Sequence, residues 1–284
     1  MNRRLTILLV CSVFLLTAAA PDAQAKPRRP RQPEYQSAIV MNAATGEILF
    51  QKDADRPLQP ASVTKILSLY LIYEAIGEGR ARFQEPVKIS KKAWRTGGTR
   101  MFVDPGSEVR LEELIKGMSV VSANDASVAL AEYIEGSEDA FVRKMNQKAL
   151  LLGMTHSTFK NAHGLPAKGQ RTTARDMARL SRDYIQRFPQ SLQIHAMQFY
   201  TYHNITQHNR NLLLRRYPGT DGLKAGYVHA AGYHIIATAR RGDTRLIALV
   251  MGARTPAIRL RETAKLLDQG FDRVSRQASA ASRL

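Results

Sequence analysis

Residues 60–79 read PASVTKILSLYLIYEAIGEG. After Pro60 and Ala61, Ser62 opens an apolar run, Val63 to Ile76, that stops at Gly77 and Gly79. This pattern predicts a helix with Ser62 at its start. Ser62 and Lys65 stand three apart there, on one helical face. A serine hydroxyl is a poor nucleophile until a base takes its proton. Lysine can be that base if burial or a neighbouring cation lowers its pKa. The helix N-terminus adds positive potential where negative charge would develop. Alone the S-x-x-K spacing is a weak signal, since Ser62 could serve only as an N-cap and Lys65 as a solvated lysine.

Upstream of this helix, Ser37 to Asn42 and Glu47 to Lys52 read as strands joined by a turn at Ala43-Ala44-Thr45-Gly46. Residues 26–35 form a Pro/Arg-rich lead-in expected to be disordered. The first 25 residues carry Arg3 and Arg4, an apolar run from Leu5 to Ala20, and a small-x-small site at Ala23-Gln24-Ala25. That is the pattern of a secretory signal peptide cleaved before Lys26, with a retained membrane anchor as the rival reading. Cys11, the only cysteine, lies inside the segment. The mature chain therefore has no disulfide, cysteine nucleophile or thiolate metal site.

Downstream the pattern turns helical. Leu111 to Met118 and Ala126 to Ile134 have helical spacing, Ser137 caps a helix to Leu152, and Thr173-x-x-Asp176 is a capping box for a helix towards Phe188. Strand patterns return at Asp221 to Ala225, Tyr233 to Ala239 and Arg245 to Met251. Thr255-Pro256 then starts a helix to about Leu267. Strands, helices, strands and a helix predict an α+β fold, an α/β sandwich. The N- and C-terminal strands join in one antiparallel sheet flanked by helices, with a helical insert. The domain is expected over residues 36–272, followed by a flexible tail over residues 273–284.

Two further clusters sit where chemistry could use them. Ser122-Ala123-Asn124 lies between helical runs, where a hydroxyl can relay a proton and an amide can hold a carbonyl. Lys224-Ala225-Gly226 lies on a strand, pairing a positive charge with a residue that allows close backbone approach. Each alone also fits a cap or an exposed strand lysine. The seven histidines form no metal-binding pattern.

S-x-x-K, S-x-N and K-x-G in this order resemble the penicillin-recognising serine enzymes. The flanks are similar to the low-molecular-mass D-alanyl-D-alanine carboxypeptidases: Ala61 to Ile66, Ser122 to Ala131, His163-Gly164-Leu165, Thr173 to Met177, Asn209-Arg210-Asn211, Asp221 to Lys224 and Ala231-Gly232-Tyr233. The resemblance covers about residues 36–272. It implies a β-lactamase/transpeptidase-like fold and no cofactor or metal. It also implies that Ser62 attacks the carbonyl between two D-alanines and Lys65 takes its proton. Ser122 would relay a proton to the leaving amine, and Asn124 would hold the substrate amide. The backbone N–H groups of Ser62 and Tyr227, next to Gly226, would form the oxyanion hole. Lys224, Arg210 and Arg254 would face the terminal carboxylate. Ala225 stands where the family pattern has a hydroxyl residue, which puts the strength of carboxylate recognition in question.

The implied partners are peptidoglycan stem peptides, with β-lactam antibiotics as covalent inhibitors. A D,D-endopeptidase cleaving cross-links and an inactive wall-binding module are the alternatives. The formal charge is +18 for the full chain and +17 once Arg3, Arg4 and Asp22 leave with the signal segment. Such a field suits an anionic membrane or wall surface. Export and the lack of a recognition motif argue against nucleic acid. Secretion across the inner membrane, to the periplasm or cell envelope, is the expected location.

Overall fold

The computed structural model describes residues 34–281. The segment read as a signal peptide, the lead-in up to residue 33 and residues 282–284 lie outside the described residues. Two strands come first, β1 (Ser37–Asn42) and β2 (Ile48–Lys52). In the turn between them Asn42 Oδ1 accepts the N–H groups of Ala44 and Thr45, the local bonding that suits Asn to turns. A single 3-10 turn, Ala61–Thr64, runs directly into α1 (Lys65–Gly77). Then come β3 (Pro86–Lys88), α2 (Lys91–Arg95), β4 (Glu108–Arg110), α3 (Leu111–Lys116) and a π turn over Gly117–Val121. The helices α4 (Asn124–Glu135), α5 (Glu138–Leu151), α6 (Ala174–Arg187) and α7 (Ser191–His195) follow. A hairpin of β5 (Phe199–Tyr202) and β6 (Ile205–His208) leads to the short α8 (Leu213–Arg216). The chain closes with β7 (Thr220–Val228), β8 (Gly232–Arg241), β9 (Thr244–Ala253) and α9 (Pro256–Ala281).

As the strand pattern predicts, the early and late strands join in one antiparallel sheet; its five strands run in the order β2-β1-β9-β8-β7. Side chains alternate across a strand, so each strand feeds two cores. Ile39, Met41, Ile247, Leu249 and Met251 pack with Leu67 and Tyr70 of α1 and with Met177 and Tyr184 of α6. Ala38, Val40, Leu246, Ala248 and Val250 pack with Leu266, Leu267 and Phe271 of α9. Each large apolar side chain so buried stabilises the fold by roughly 1.5–3 kcal/mol. A sheet buried on both faces needs near-continuous apolar strands, and LIALVM in β9 is one. Helix α1 is apolar almost all round because it lies inside, against α4, α5, α6 and β7. That placement brings its N-terminal end, with Ser62, up to the sheet.

Two local expectations differ from what forms. Helix α9 continues past Leu267 to Ala281, so residues 273–281, read as a loose tail, are helical. No proline interrupts this stretch, alanine and arginine favour helix, and Val274 still packs on the second core. At α6 only half of the capping box forms. Thr173 Oγ1 accepts the Asp176 N–H at 3.1 Å, while the Asp176 carboxylate turns away to the His156 N–H and the Ser157 hydroxyl. Among the described residues no helix is long and apolar enough to cross a membrane.

Candidate active site

Three segments converge at one end of the sheet: the turn that holds Ser62, the loop that holds Ser122, and β7. Gly226 of β7 explains how close they come. A Cβ at that position would lie 2.9 Å from the Ser62 backbone nitrogen and 3.1 Å from Ala61 Cβ, so only glycine permits the approach. Ala61 has φ +50° and Ser122 φ +72°, conformations that cost a non-glycine residue about 1–2 kcal/mol each. Such strain persists only where the surroundings over-determine it, and here it lies next to the candidate nucleophile and on the candidate relay serine itself.

Lys65 is fully buried, and its amine has three neighbours. Asn124 Oδ1 lies at 2.6 Å, the His163 carbonyl at 2.7 Å and Ser62 Oγ at 3.4 Å. Burial first, and the charge of Lys224 second, hold its pKa well below the usual lysine range; Asp125 opposes them. A neutral amine has two N–H donors and one lone pair. The two short contacts are to pure acceptors and use both donors. The lone pair is then left to the Ser62 hydroxyl, which is the arrangement of a general base.

Asn124 does more than line the site. Besides accepting from Lys65, its Nδ2 donates to the Gly97 carbonyl at 2.7 Å. Next to it, the buried Asp125 carboxylate accepts the backbone N–H groups of Met101, Phe102 and Val103. Together they hold the 97–103 segment over the S-x-N loop. His163 enters through its carbonyl, while its ring accepts the Leu165 N–H at 3.2 Å. Burial depresses its pKa to about 4, so the imidazole is neutral. The part of His163 that touches Lys65 is its backbone carbonyl, not its ring.

Ser62 and Ser122 line a cleft of about 660 Å³ together with Arg210, Ala225, Gly226 and Tyr227. The half-exposed Tyr227 ring lies 4.4 Å from that of Tyr233 at the rim. Lys224 is buried, and its Nζ donates to the Ala225 carbonyl at 3.0 Å. Burial, then Arg259 and Arg210, lower its pKa to about 7. Arg254 stands apart from this group. It is exposed, does not line the cleft, and uses its backbone N–H on Glu34. The α9 arginine that does reach the cleft is Arg259, one turn into the helix. It is buried, donates to the His234 and Arg210 carbonyls, and among the described residues its Nε has no hydrogen-bond partner. Sequence reasoning missed Arg259 because an arginine near a helix start carries no signal of its own. A second concavity of about 440 Å³, beside Arg175, Arg179 and Arg182, is lined by no serine, threonine, cysteine or lysine.

A serine beside a buried lysine of lowered pKa, with a second serine and a cationic cleft end, suits the chemistry of a serine acyl-transfer enzyme. The profile of the D-alanyl-D-alanine carboxypeptidase family, peptidase family S11, matches residues 23–255. The chain belongs to this family. It is 39% identical over 279 residues to the D-alanyl-D-alanine carboxypeptidase DacF of Bacillus subtilis, which covers 95% of this chain and 71% of that protein. It is 40% identical over 269 residues to DacC of Escherichia coli, covering 92% and 67%. Penicillin binding protein 5 of Haemophilus influenzae superposes with a TM-score of 0.82 at 35% identity, over 86% of this chain and 73% of that one. Penicillin-binding protein D2 of Listeria monocytogenes, solved with ampicillin bound, superposes with a TM-score of 0.77 at 29% identity, over 86% and 100%. The protein is a serine-type D-Ala-D-Ala carboxypeptidase of the low-molecular-mass penicillin-binding class, with the α+β transpeptidase fold.

Proposed function

We propose that this carboxypeptidase works through an acyl-enzyme on Ser62. Neutral Lys65 takes the hydroxyl proton as Ser62 Oγ attacks the carbonyl between the two D-alanines of a peptidoglycan stem peptide. The developing oxyanion is held by the backbone N–H groups of Ser62 and Tyr227. Ser122 passes a proton to the leaving amine, the C–N bond breaks, and D-alanine departs. Asn124 orients Lys65 and the substrate amide. Lys224, Arg210 and Arg259 face the terminal carboxylate; Arg254 has no part in this assignment. Water then hydrolyses the ester and restores Ser62.

The observation that supports this most directly is the pair of short acceptor contacts on Lys65, which leave its lone pair to Ser62. A β-lactam should add covalently to the tryptic peptide holding Ser62, read by mass spectrometry. Ser62→Ala should abolish the adduct and the release of D-alanine; an adduct surviving in Ser62→Ala would overturn the mechanism. Export to the bacterial envelope and charge-driven contact with an anionic membrane or wall surface complete the proposal. They are supported by the leader pattern and the +17 balance. Binding to anionic vesicles that persists at molar salt would contradict the electrostatic part.

A further inference from the structure

The cleft carries more positive charge than one terminal carboxylate requires. Arg210, Arg215 and Arg259 all line it, and among the described residues no aspartate or glutamate does. Arg259 is tied to two carbonyls, and Lys224 is buried on β7. Arg215 differs from both. Among the described residues its exposed guanidinium has no hydrogen-bond or ion-pair partner. The element that carries it is nonetheless fixed. Asn211 Nδ2 donates to the Gly222 carbonyl of β7 at 2.8 Å, and Asn211 Oδ1 accepts the Leu213 N–H at the start of α8. Leu213 and Tyr217 are buried on either side of Arg215, and the Tyr217 hydroxyl reaches Asp268 of α9. A cation on an anchored turn, facing a cleft that offers it no acid, is a site for an anion brought by the substrate.

We infer that Arg215 forms a second anion subsite for the leaving residue, which selects substrates whose leaving D-amino acid bears a second carboxylate. The inference rests on the carboxypeptidase activity proposed for the Ser62 site. It concerns specificity alone: the bond broken and the proton transfers are unchanged.

The test compares acyl-D-Ala-D-Glu with acyl-D-Ala-D-Gln, a pair that differs in charge at nearly constant shape. The wild-type ratio of kcat/KM, Glu over Gln, should be roughly two- to fivefold, the scale of a partly exposed ion pair. It should shrink as salt is raised. Arg215→Gln should bring the ratio to about one, and Arg215→Lys should restore part of it. Arg216→Gln, next door but outside the cleft, should keep the wild-type ratio. A wild-type ratio of one or less would overturn the subsite. So would an unchanged ratio in Arg215→Gln, or an equal loss in Arg216→Gln. Failure of a different kind, with no cleavage of acyl-D-Ala-D-Ala and no β-lactam adduct at Ser62, would overturn the activity and the subsite with it.

Discussion

The His234 imidazole donates from Nε2 to the Gln59 carbonyl at 2.8 Å, three residues before the nucleophile. The tautomer follows from the other nitrogen: Nδ1 accepts the Gly252 N–H at 2.9 Å, so the proton sits on Nε2. His234 also pairs across the sheet with Gly226, and its carbonyl accepts from Arg259. One fully buried residue thus joins the nucleophile turn, the strand behind it and the cleft arginine.

His234 is therefore a positioning residue. His234→Leu should slow acylation of Ser62 by a β-lactam about 10- to 100-fold, the cost of a small misplacement of reacting atoms. The loss should appear in kcat more than in KM. His234→Asn, which keeps a donor and an acceptor, should recover part of the rate. A fall in melting temperature with acylation unchanged in both variants would reduce His234 to a core residue.

The two buried lysines predict the pH dependence. Burial and the charge of Lys224 hold the Lys65 pKa well below the usual lysine range. Lys224, lowered to about 7, loses its positive charge as pH rises through that value. For a substrate with a free carboxylate, kcat/KM should therefore fall above about pH 7. A bound carboxylate favours charged Lys224, so the limb in kcat should lie at higher pH. Lys224→Arg, permanently charged, should remove the limb; a limb unmoved in that variant would belong to another group.

Ala225 lines the cleft and offers the substrate no hydroxyl. Ala225→Thr should raise kcat/KM on peptides ending in D-Ala-D-Ala. A hydrogen bond to a charged group contributes about 1.5–3 kcal/mol, and the lower end, about tenfold, is expected here because Lys224 and Arg259 are the proposed partners of the same carboxylate. Threonine is at home in a strand, so the backbone should hold. An unchanged or lower kcat/KM would show that this contact does not limit the enzyme.

Gly164 has φ +92°, and a Cβ there would lie 1.9 Å from the Ala61 carbonyl oxygen. The residue sits beside His163, whose carbonyl holds Lys65. Gly164→Ala should lower stability by more than about 3 kcal/mol, since backbone must move to relieve the clash. Whatever protein folds should acylate slowly. Wild-type melting temperature and acylation rate in Gly164→Ala would refute the packing argument.

Much of this protein is set by its linear order. The alternation in β1 and β9 assigns side chains to two cores without further information, because a strand has period two. The apolar run after Ser62 specifies a buried helix, and S-x-x-K places two groups on one face, because a helical turn repeats within four residues. What the order of residues leaves open is every relationship between segments. Lys65 reads as a solvated lysine until α4 and the His163 loop bury it and supply two acceptors 59 and 98 positions away. Arg254 and Arg259 are both arginines near the start of α9, and only the packing of that helix on the sheet turns the second into the cleft. The depressed pKa values of Lys65 and Lys224 belong to the same class of fact. Desolvation and charge proximity act through space, so they come into being only when the chain has folded.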